Sequence, residues 1–177
     1  MRVLGFDGSP TGGGKTEAAI RAVLSGLPDG SSTEVIPLAS GPEEALEAAE
    51  GADAFIFGSP IYRASYAAPM KTLLDRLPRG MWGEQSAPIG GRAVVLVGTG
   101  ASWHHFLGLD PLRSILAGFF AAHVLPPGLY VPAEGFDDEG RLREPFAELA
   151  ARQGAALGEL TEALAGSPAL RLLKPQA

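Results

Sequence analysis

The segment from Gly8 to Thr16 has the residue types of a phosphate-binding loop. It follows a short apolar run that is typical of a strand, and it precedes a helical pattern. Glycines let the backbone turn tightly and approach a ligand, and a helix N-terminus offers unpaired N–H groups and the positive end of a dipole. We therefore predict that this segment holds a phosphate through Ser9, Thr11, Gly14, Lys15 and Thr16.

Two other interpretations of this segment stay open. In the first, it is a glycine-rich turn in which Thr16 caps the following helix. In the second, it is the P-loop of a nucleoside triphosphatase, because Gly14-Lys15-Thr16 satisfies the end of that motif. However, Ser9 replaces the leading glycine of the motif, and no predicted strand ends in the aspartate that would help to hold magnesium. The triphosphatase is therefore the weaker of the two phosphate-binding hypotheses.

Two further segments follow predicted strands and suit a flat ligand. The segment from Gly58 to Tyr66 combines a proline-fixed bend with two tyrosines, which favours stacking on a heterocycle. The segment from Gly98 to His105 contains small residues that permit close backbone approach. Its adjacent histidines, His104 and His105, would not face one metal ion from a helix, and no acidic residue or cysteine close by completes a site. We therefore predict no metal site.

These segments belong to a chain that alternates short apolar runs with longer helical patterns, which is typical of a parallel α/β sheet. The predicted strands are Val3–Phe6, Glu34–Leu38, Ala54–Phe57, Ala93–Val97 and Leu129–Val131. The predicted helices cover residues 16–24, 43–49, 68–77, 111–121 and 145–164. Five strands favour a three-layer, flavodoxin-like α/β fold, in which a parallel sheet of order 2-1-3-4-5 has helices on both faces. The segments after strands one, three and four would then meet at one edge of the sheet.

Length and composition limit the class of protein. The chain has 177 residues, of which 46% are hydrophobic, and this fits a single domain at 1–166 with a C-terminal tail at 167–177. It has no cysteine, which excludes disulfides, thiolate metal sites and iron–sulfur clusters. The net charge of −6 argues against nucleic-acid binding. Because no signal peptide or membrane span is apparent, we expect a cytoplasmic protein.

The three segments together resemble the NADPH-dependent FMN reductase family. The string from Gly58 to Asp75, GSPIYRASYAAPMKTLLD, is similar to that family's pattern G-[ST]-P-x-Y-x-x-x-[YF]-x-x-x-[LM]-K-x-x-[LI]-D. A second likeness is the string from Gly98 to Ser102, GTGAS, followed by His105-Phe106-Leu107. The chain looks most like the FMN reductases that serve two-component alkanesulfonate monooxygenases, and the resemblance extends from Met1 to about Leu164.

The resemblance implies that FMN binds across the three segments and that NADPH or NADH is the reductant. It places the FMN phosphate on the first segment, one edge of the isoalloxazine on the second and the pyrimidine end on the third. The residues assigned in this way to the second and third segments are Ser59, Pro60, Ile61, Tyr62, Arg63, Thr99, Gly100 and Ser102. Hydride would pass from the nicotinamide to FMN N5 and electrons onward to an acceptor, so no catalytic side chain is predicted. Trp103 and His105 are further candidates to line the reacting face.

The acceptor and the partners stay open at this stage. The predicted acceptor is a free flavin, a quinone, an azo compound, a metal oxyanion or a monooxygenase component. The apolar residues of helix 111–121 predict a homodimer or a homotetramer. Some of the sulfonate-linked reductases have an extra aromatic residue in this helix that forms a π-bulge, and we see no such insertion between His105 and Arg113. The alternatives to an enzyme are a flavodoxin-like electron carrier and a noncatalytic flavin-binding module.

Overall fold

A mostly parallel sheet forms the centre of the protein in the computed structural model, which describes residues 1–175. The strands are β1 (Arg2–Asp7), β2 (Ser32–Pro37), β3 (Ala54–Tyr62), β4 (Ser65–Tyr66), β5 (Ala93–Gly100), β6 (His123–Val124) and β7 (Leu129–Pro132). Their order is β2-β1-β3-β5, and both β6 and β7 pair with the free side of β5. All of these pairs are parallel, and β4 alone pairs antiparallel, in a hairpin with β3.

The predicted fold class and strand order are therefore confirmed, with two local differences. The predicted fifth strand consists of two pieces, β6 and β7, because Pro126 and Pro127 lie between them and lack the N–H groups that a continuous ladder needs. The second difference is that β3 and β5 run beyond their predicted ends at Phe57 and Val97. The residues that the sequence pattern places in loops there are still part of the sheet.

The helices cover both faces of the sheet and form two core layers. They are α1 (Lys15–Leu24), α2 (Glu43–Ala49), α3 (Ala68–Arg76), α4 (Asp110–Ser114), α5 (Phe146–Ala165) and the short α6 (Pro168–Arg171). Side chains that alternate along a strand enter opposite layers: Phe55 and Phe57 pack with α2, α3 and α4, whereas Ala54 and Ile56 pack with α1 and α5. Within residues 1–175, no helix has both the length and the hydropathy needed to cross a bilayer.

The segment after α4 differs from the regular helix that the sequence predicts. Residues Ile115–Phe119 wind as a π-helix, and the Phe120 N–H donates to the Ile115 carbonyl oxygen at 3.2 Å. This wider turn buries Leu116 and Phe120 in the core and leaves Phe119 48% exposed. The sequence has no insertion between His105 and Arg113, and the π turn lies after Arg113. Of the apolar residues in this helix, Leu116 and Phe120 pack internally.

The helices α1 and α5, on one face of the sheet, pack closely because glycine residues lie at their contact. A Cβ atom on Gly154 of α5 would overlap the backbone carbonyl oxygen of Val23 in α1, and a Cβ on Gly26 would overlap the carbonyl oxygen of Ala151. Because backbone atoms cannot move aside as a flexible side chain can, the distance between α1 and α5 is fixed by these two glycines. The position of α1 matters for function because its N-terminus follows the predicted phosphate loop.

We expect Gly154→Ala to lower the free energy of unfolding by about 2 kcal/mol, since the backbone overlap exceeds the gain in helix propensity. Urea denaturation monitored by circular dichroism measures this change. The matched control is Gly118→Ala, where an added Cβ meets no atom within 4 Å. We expect that control to be neutral or stabilising; equal losses in the two variants would mean that helix packing is not the cause.

Candidate active site

A cleft of about 740 Å³ opens at the carboxyl ends of β1, β3 and β5. Eleven of the thirteen predicted site residues line it, and they come from all three predicted segments. These eleven are Ser9, Thr11, Gly14, Lys15, Thr16, Pro60, Ile61, Tyr62, Arg63, Thr99 and Gly100. The other lining residues are Ala101, His105 and Ala133. The sheet thus brings together residues that are more than ninety positions apart in the sequence.

The loop after β1 is held at its base by backbone contacts. The Gly8 N–H donates to the Gly58 carbonyl oxygen at 2.7 Å, and the Ser9 N–H donates to Asp7 Oδ1 at 2.9 Å. Further along, Gly12 and Gly13 adopt left-handed backbone angles, with φ of +62° and +65°, which side chains rarely allow. These two glycines let the loop turn back so that α1 begins beside the cleft. The N-terminal N–H groups of α1 are therefore available at the cleft wall.

Thr16 connects two walls of the cleft and does not cap α1. The N-cap position, directly before the helix, is occupied by Gly14, which has no side chain that could cap it. The Thr16 hydroxyl instead shares a hydrogen bond of 2.9 Å with the hydroxyl of Thr99 at the end of β5. Both residues are buried. The interpretation of Thr16 as a helix cap was therefore wrong, and its contact with Thr99 ties the loop after β1 to the end of β5.

The second wall is a strand and a hairpin where the sequence pattern predicts a loop. Ser59 to Tyr62 continue β3, which then turns back into β4. Ser59 does not line the cleft: its buried hydroxyl donates to the Pro60 carbonyl oxygen at 2.9 Å and accepts from the Ala67 N–H at 2.8 Å. Ser59 is thus one of the two predicted site residues that lie outside the cleft lining. Ser59 holds the hairpin in position, whereas Tyr62 is exposed at the cleft.

The turn of this hairpin has an unfavourable backbone. Arg63 and Ala64 adopt φ of +50° and +64°. Two-residue hairpin turns of this kind favour Asn-Gly, because a Cβ atom disfavours the left-handed region by about 1–2 kcal/mol per residue. The chain therefore tolerates strain at the point where Arg63 meets the cleft.

The third wall follows β5, and here one predicted residue lies outside the cleft. Ser102 shares a hydrogen bond of 3.0 Å with His104 Nδ1, and its carbonyl oxygen accepts from the Tyr130 hydroxyl at 2.6 Å. Trp103 also lies outside: its indole Nε1 donates to Glu134 Oε1 at 2.9 Å. Of the two further candidates, His105 alone lines the cleft.

Two lining residues, Ala101 and Ala133, were not predicted. Ala101 lies within the predicted third segment, and its small side chain carries no functional group that would have singled it out. Ala133 directly follows β7, which pairs with β5. The pairing of the fourth and fifth predicted strands is the signal that could have placed it at this edge of the sheet.

The sequence model of the family described as NADPH-dependent FMN reductase matches residues 1–137, which is more than half of the chain. The chain belongs to the NADPH-dependent FMN reductase family. The family predicted from the sequence is therefore confirmed.

Two relatives and one solved structure illustrate what the chain is similar to. The chain is 44% identical over 100 residues to the NADH-dependent FMN reductase SfnF of Pseudomonas putida, covering 56% of the chain and 50% of the relative. It is 35% identical over 115 residues to an FMN reductase (NADPH) of Pseudomonas aeruginosa, covering 63% and 58%. The chain thus spans about half the length of the curated relatives it matches. The apo structure of an NADH:FMN oxidoreductase, EmoB, superposes with a TM-score of 0.73 at 25% identity, covering 96% of the chain and 93% of that structure.

The cleft of this family member is positively charged although the chain carries a net charge of −6. Lys15 and Arg63 line it, and no carboxylate is among its lining residues. Lys15 Nζ lies 5.2 Å from the centre of the Phe136 ring, a cation–π contact that leaves the ammonium group at the cleft. Within residues 1–175, no group of three histidine or acidic side chains is placed to hold a metal ion.

One carboxyl group lies beneath the cleft. Asp7 at the end of β1 is fully buried, and this burial raises its pKa to about 6. The hydrogen bond from the Ser9 N–H opposes the increase, and the negative charge of Glu17 adds to it. Since the unfolded chain has an ordinary aspartate pKa, the folded protein retains a proton that the unfolded chain has already lost between about pH 4 and 6.

We expect Asp7→Asn to stabilise the protein at pH 8 relative to the wild type, by about 2–3 kcal/mol. Asp7 contributes full stability below the unfolded pKa, and that contribution is lost as the pH rises through about 6. The difference between the variant and the wild type should therefore grow from pH 4 to pH 7. Chemical denaturation at several pH values measures it, with the exposed Asp29→Asn as the control that should show no such growth.

The strain of the hairpin turn gives a separate expectation. Ala64→Gly should raise the free energy of unfolding by about 1 kcal/mol, because glycine adopts the left-handed region without steric cost. The control is Ala155→Gly on the exposed face of α5, which should lose about 1 kcal/mol through lower helix propensity. A loss of similar size at both positions would show that the turn stores no strain.

Proposed function

We propose that this protein is an NAD(P)H-dependent FMN reductase, which passes hydride from NADPH or NADH to FMN and electrons onward to an acceptor. The observation that carries this proposal is the cleft of about 740 Å³, which joins a phosphate-type loop to a wall with a tyrosine and contains cations but no carboxylate. The family to which the chain belongs supports FMN as the ligand of this cleft and NADPH or NADH as the reductant.

The donor set of the first segment fits the phosphate of FMN. Lys15 supplies a positive charge, and Ser9, Thr11 and Thr16 supply hydroxyl groups at the same wall. The N-terminus of α1, a helix of ten residues, adds free N–H groups and the positive end of its dipole. Each of these features favours a doubly charged anion.

The other two walls fit a flat ring. Pro60, Ile61 and Tyr62 form an apolar edge, while Thr99 and Gly100 offer backbone groups at the end of the neighbouring strand β5. When bound, FMN supplies the hydride-accepting and electron-donating chemistry. The task of the chain is to orient this ring and the nicotinamide at contact distance, which needs no acid or base. Arg63 at the strained turn is placed to attract the phosphate groups of the nucleotide.

The acceptor and the assembly also belong to the proposal. The relatives bear the names of NADH-dependent and of NADPH-dependent enzymes, so we propose that either nucleotide serves. We propose a free flavin, passed to a monooxygenase component, as the acceptor, with quinones, azo compounds and metal oxyanions as the alternatives. Trp103, Phe106 and Leu107 are half exposed or more beside His105, and we propose that a second copy of the chain covers them. The cytoplasmic location stays a prediction.

The test is a titration of the purified protein with FMN, followed by anaerobic addition of NADPH or NADH. We expect a yellow complex that is bleached by the nucleotide. Lys15→Met should weaken FMN binding at least tenfold, because a charge-assisted hydrogen bond is lost, and should leave riboflavin binding within about twofold. The matched control is Lys71→Met on α3, whose ammonium group pairs with Asp75 away from the cleft.

Other outcomes of this titration would contradict the proposal in different ways. A complex that holds FMN but is not reduced by either nucleotide, and yet exchanges electrons with a protein partner, would be an electron carrier. A complex that is inert in both assays would be a noncatalytic flavin-binding module. A protein that ignores FMN and binds ATP with magnesium would be the triphosphatase.

A further inference from the structure

Asp7 is a buried acid at the base of the phosphate loop. None of its surface is exposed, and aspartate is rarely buried to this degree without a paired cation. Its Oδ1 accepts from the Ser9 N–H at 2.9 Å, whereas its Oδ2 is buried and has no hydrogen-bond partner among the described residues. Asp7 is therefore bonded to a residue that lines the cleft, while half of its carboxyl group is unsatisfied.

Among residues 1–175, no cation is paired with the Asp7 carboxyl group. The neighbouring strands place Pro37 and Gly58 opposite it. From α1, Glu17 faces it with a like charge, which is itself paired with Arg21 at 2.6 Å. From α3, Met70 lies next to the adjoining Gly8. The Lys71 of that helix pairs with the exposed Asp75 instead.

We propose that Asp7 couples binding at the loop to protonation: a phosphate group seated there shifts the buried carboxyl toward its protonated form, and its release returns the proton to solvent. The inference rests on the proposed function, which supplies FMN as the phosphate ligand. Its physical cause is like-charge repulsion, because a phosphate dianion bound at Ser9 lies close to the carboxylate. The protonated carboxyl removes that repulsion and has a hydrogen to donate from the unsatisfied side.

The proposal fixes the direction of the pH dependence. Burial holds the pKa of Asp7 at about 6 in the free protein, so the carboxyl is mostly ionised at pH 7 and above. Binding at that pH must draw in a proton, and affinity therefore falls as the pH rises. The Lys15 ammonium lines the same cleft and offsets one charge of the dianion, which leaves about one unit charge. At roughly 10 Å and an effective dielectric constant of about 20, that charge changes affinity about tenfold.

The experiment compares FMN binding by the wild type and by Asp7→Asn between pH 5.5 and 8, measured by quenching of flavin fluorescence. Asparagine keeps an oxygen acceptor for the Ser9 N–H and removes the charge. We expect the ratio of the dissociation constants, wild type over variant, to rise about tenfold across this range. The second ionisation of the FMN phosphate affects both proteins equally, so it cancels in the ratio.

Two controls separate this coupling from other titrations. Riboflavin, which lacks the phosphate, should give a ratio that does not change with pH. Glu17→Gln should retain the pH dependence of the wild type, because Asp7 is still present. Isothermal titration calorimetry in two buffers of different ionisation enthalpy should show that the wild type takes up about half a proton more per FMN than Asp7→Asn near pH 6.5, because the ionisation of the FMN phosphate contributes equally to both proteins.

The outcomes distinguish this inference from the proposed function. If FMN binds and the ratio is constant, or the wild type takes up no more protons than Asp7→Asn, the coupling is wrong and the reductase proposal is unaffected. If neither protein binds FMN at any pH, the reductase proposal fails and the coupling fails with it. Because removal of the buried charge is expected to stabilise the fold, Asp7→Asn is available for both measurements.

Discussion

β1 and β3 pair in parallel from Val3 opposite Ala54 to Asp7 opposite Gly58, and β3 continues beside β5 until Pro60 lies opposite Thr99. This register is the constraint on which the rest of the structure depends. Parallel strands require long crossovers, so each strand ends at the same edge and each following loop begins there. The buried strands use their side chains for the two core layers. Polar groups that do chemistry are therefore confined to the strand ends.

The hydroxyl pair of Thr16 and Thr99 shows how closely this edge is organised. The two residues are 83 positions apart, and their contact of 2.9 Å joins the start of α1 to the end of β5. On the far side of α1, Gly26 and Gly154 set the distance to α5. The helix α1 is thus fixed near its N-terminus by the hydrogen bond of Thr16 and just beyond its C-terminus by the contact of Gly26 with α5. A helix terminus that binds an anion needs this rigidity, because the N–H groups cannot reorient individually.

The distribution of charge follows the same edge. The chain is acidic, yet the cleft is lined by Lys15 and Arg63. Two carboxylates directly follow lining residues in the chain: Glu17 is paired with Arg21, and Glu134 is bonded to the Trp103 indole. Asp7 is the exception, because it lies under the loop with one unsatisfied oxygen. The buried, unsatisfied carboxyl oxygen of Asp7 and the left-handed backbone of Arg63 and Ala64 both lower the stability of the folded protein. Such costs are typical of sites at which binding, rather than folding, has determined the residue.

The amino-acid sequence by itself determined the fold class, the strand order and eleven of the thirteen predicted residues of the cleft, because each depends on local patterns. Glycines at the end of a strand, apolar periodicity and a family motif are all readable within a few residues. Only the folded chain shows that Ser59 and Ser102 lie outside the cleft lining: the Ser59 hydroxyl is held by the Ala67 N–H across the hairpin, and the Ser102 hydroxyl is bonded to His104. Likewise, the burial of Asp7 depends on the two strands on either side of β1, and the π turn after α4 on the packing of Leu116 and Phe120. Local sequence carries residue type and period, whereas burial and orientation depend on what the rest of the chain brings alongside.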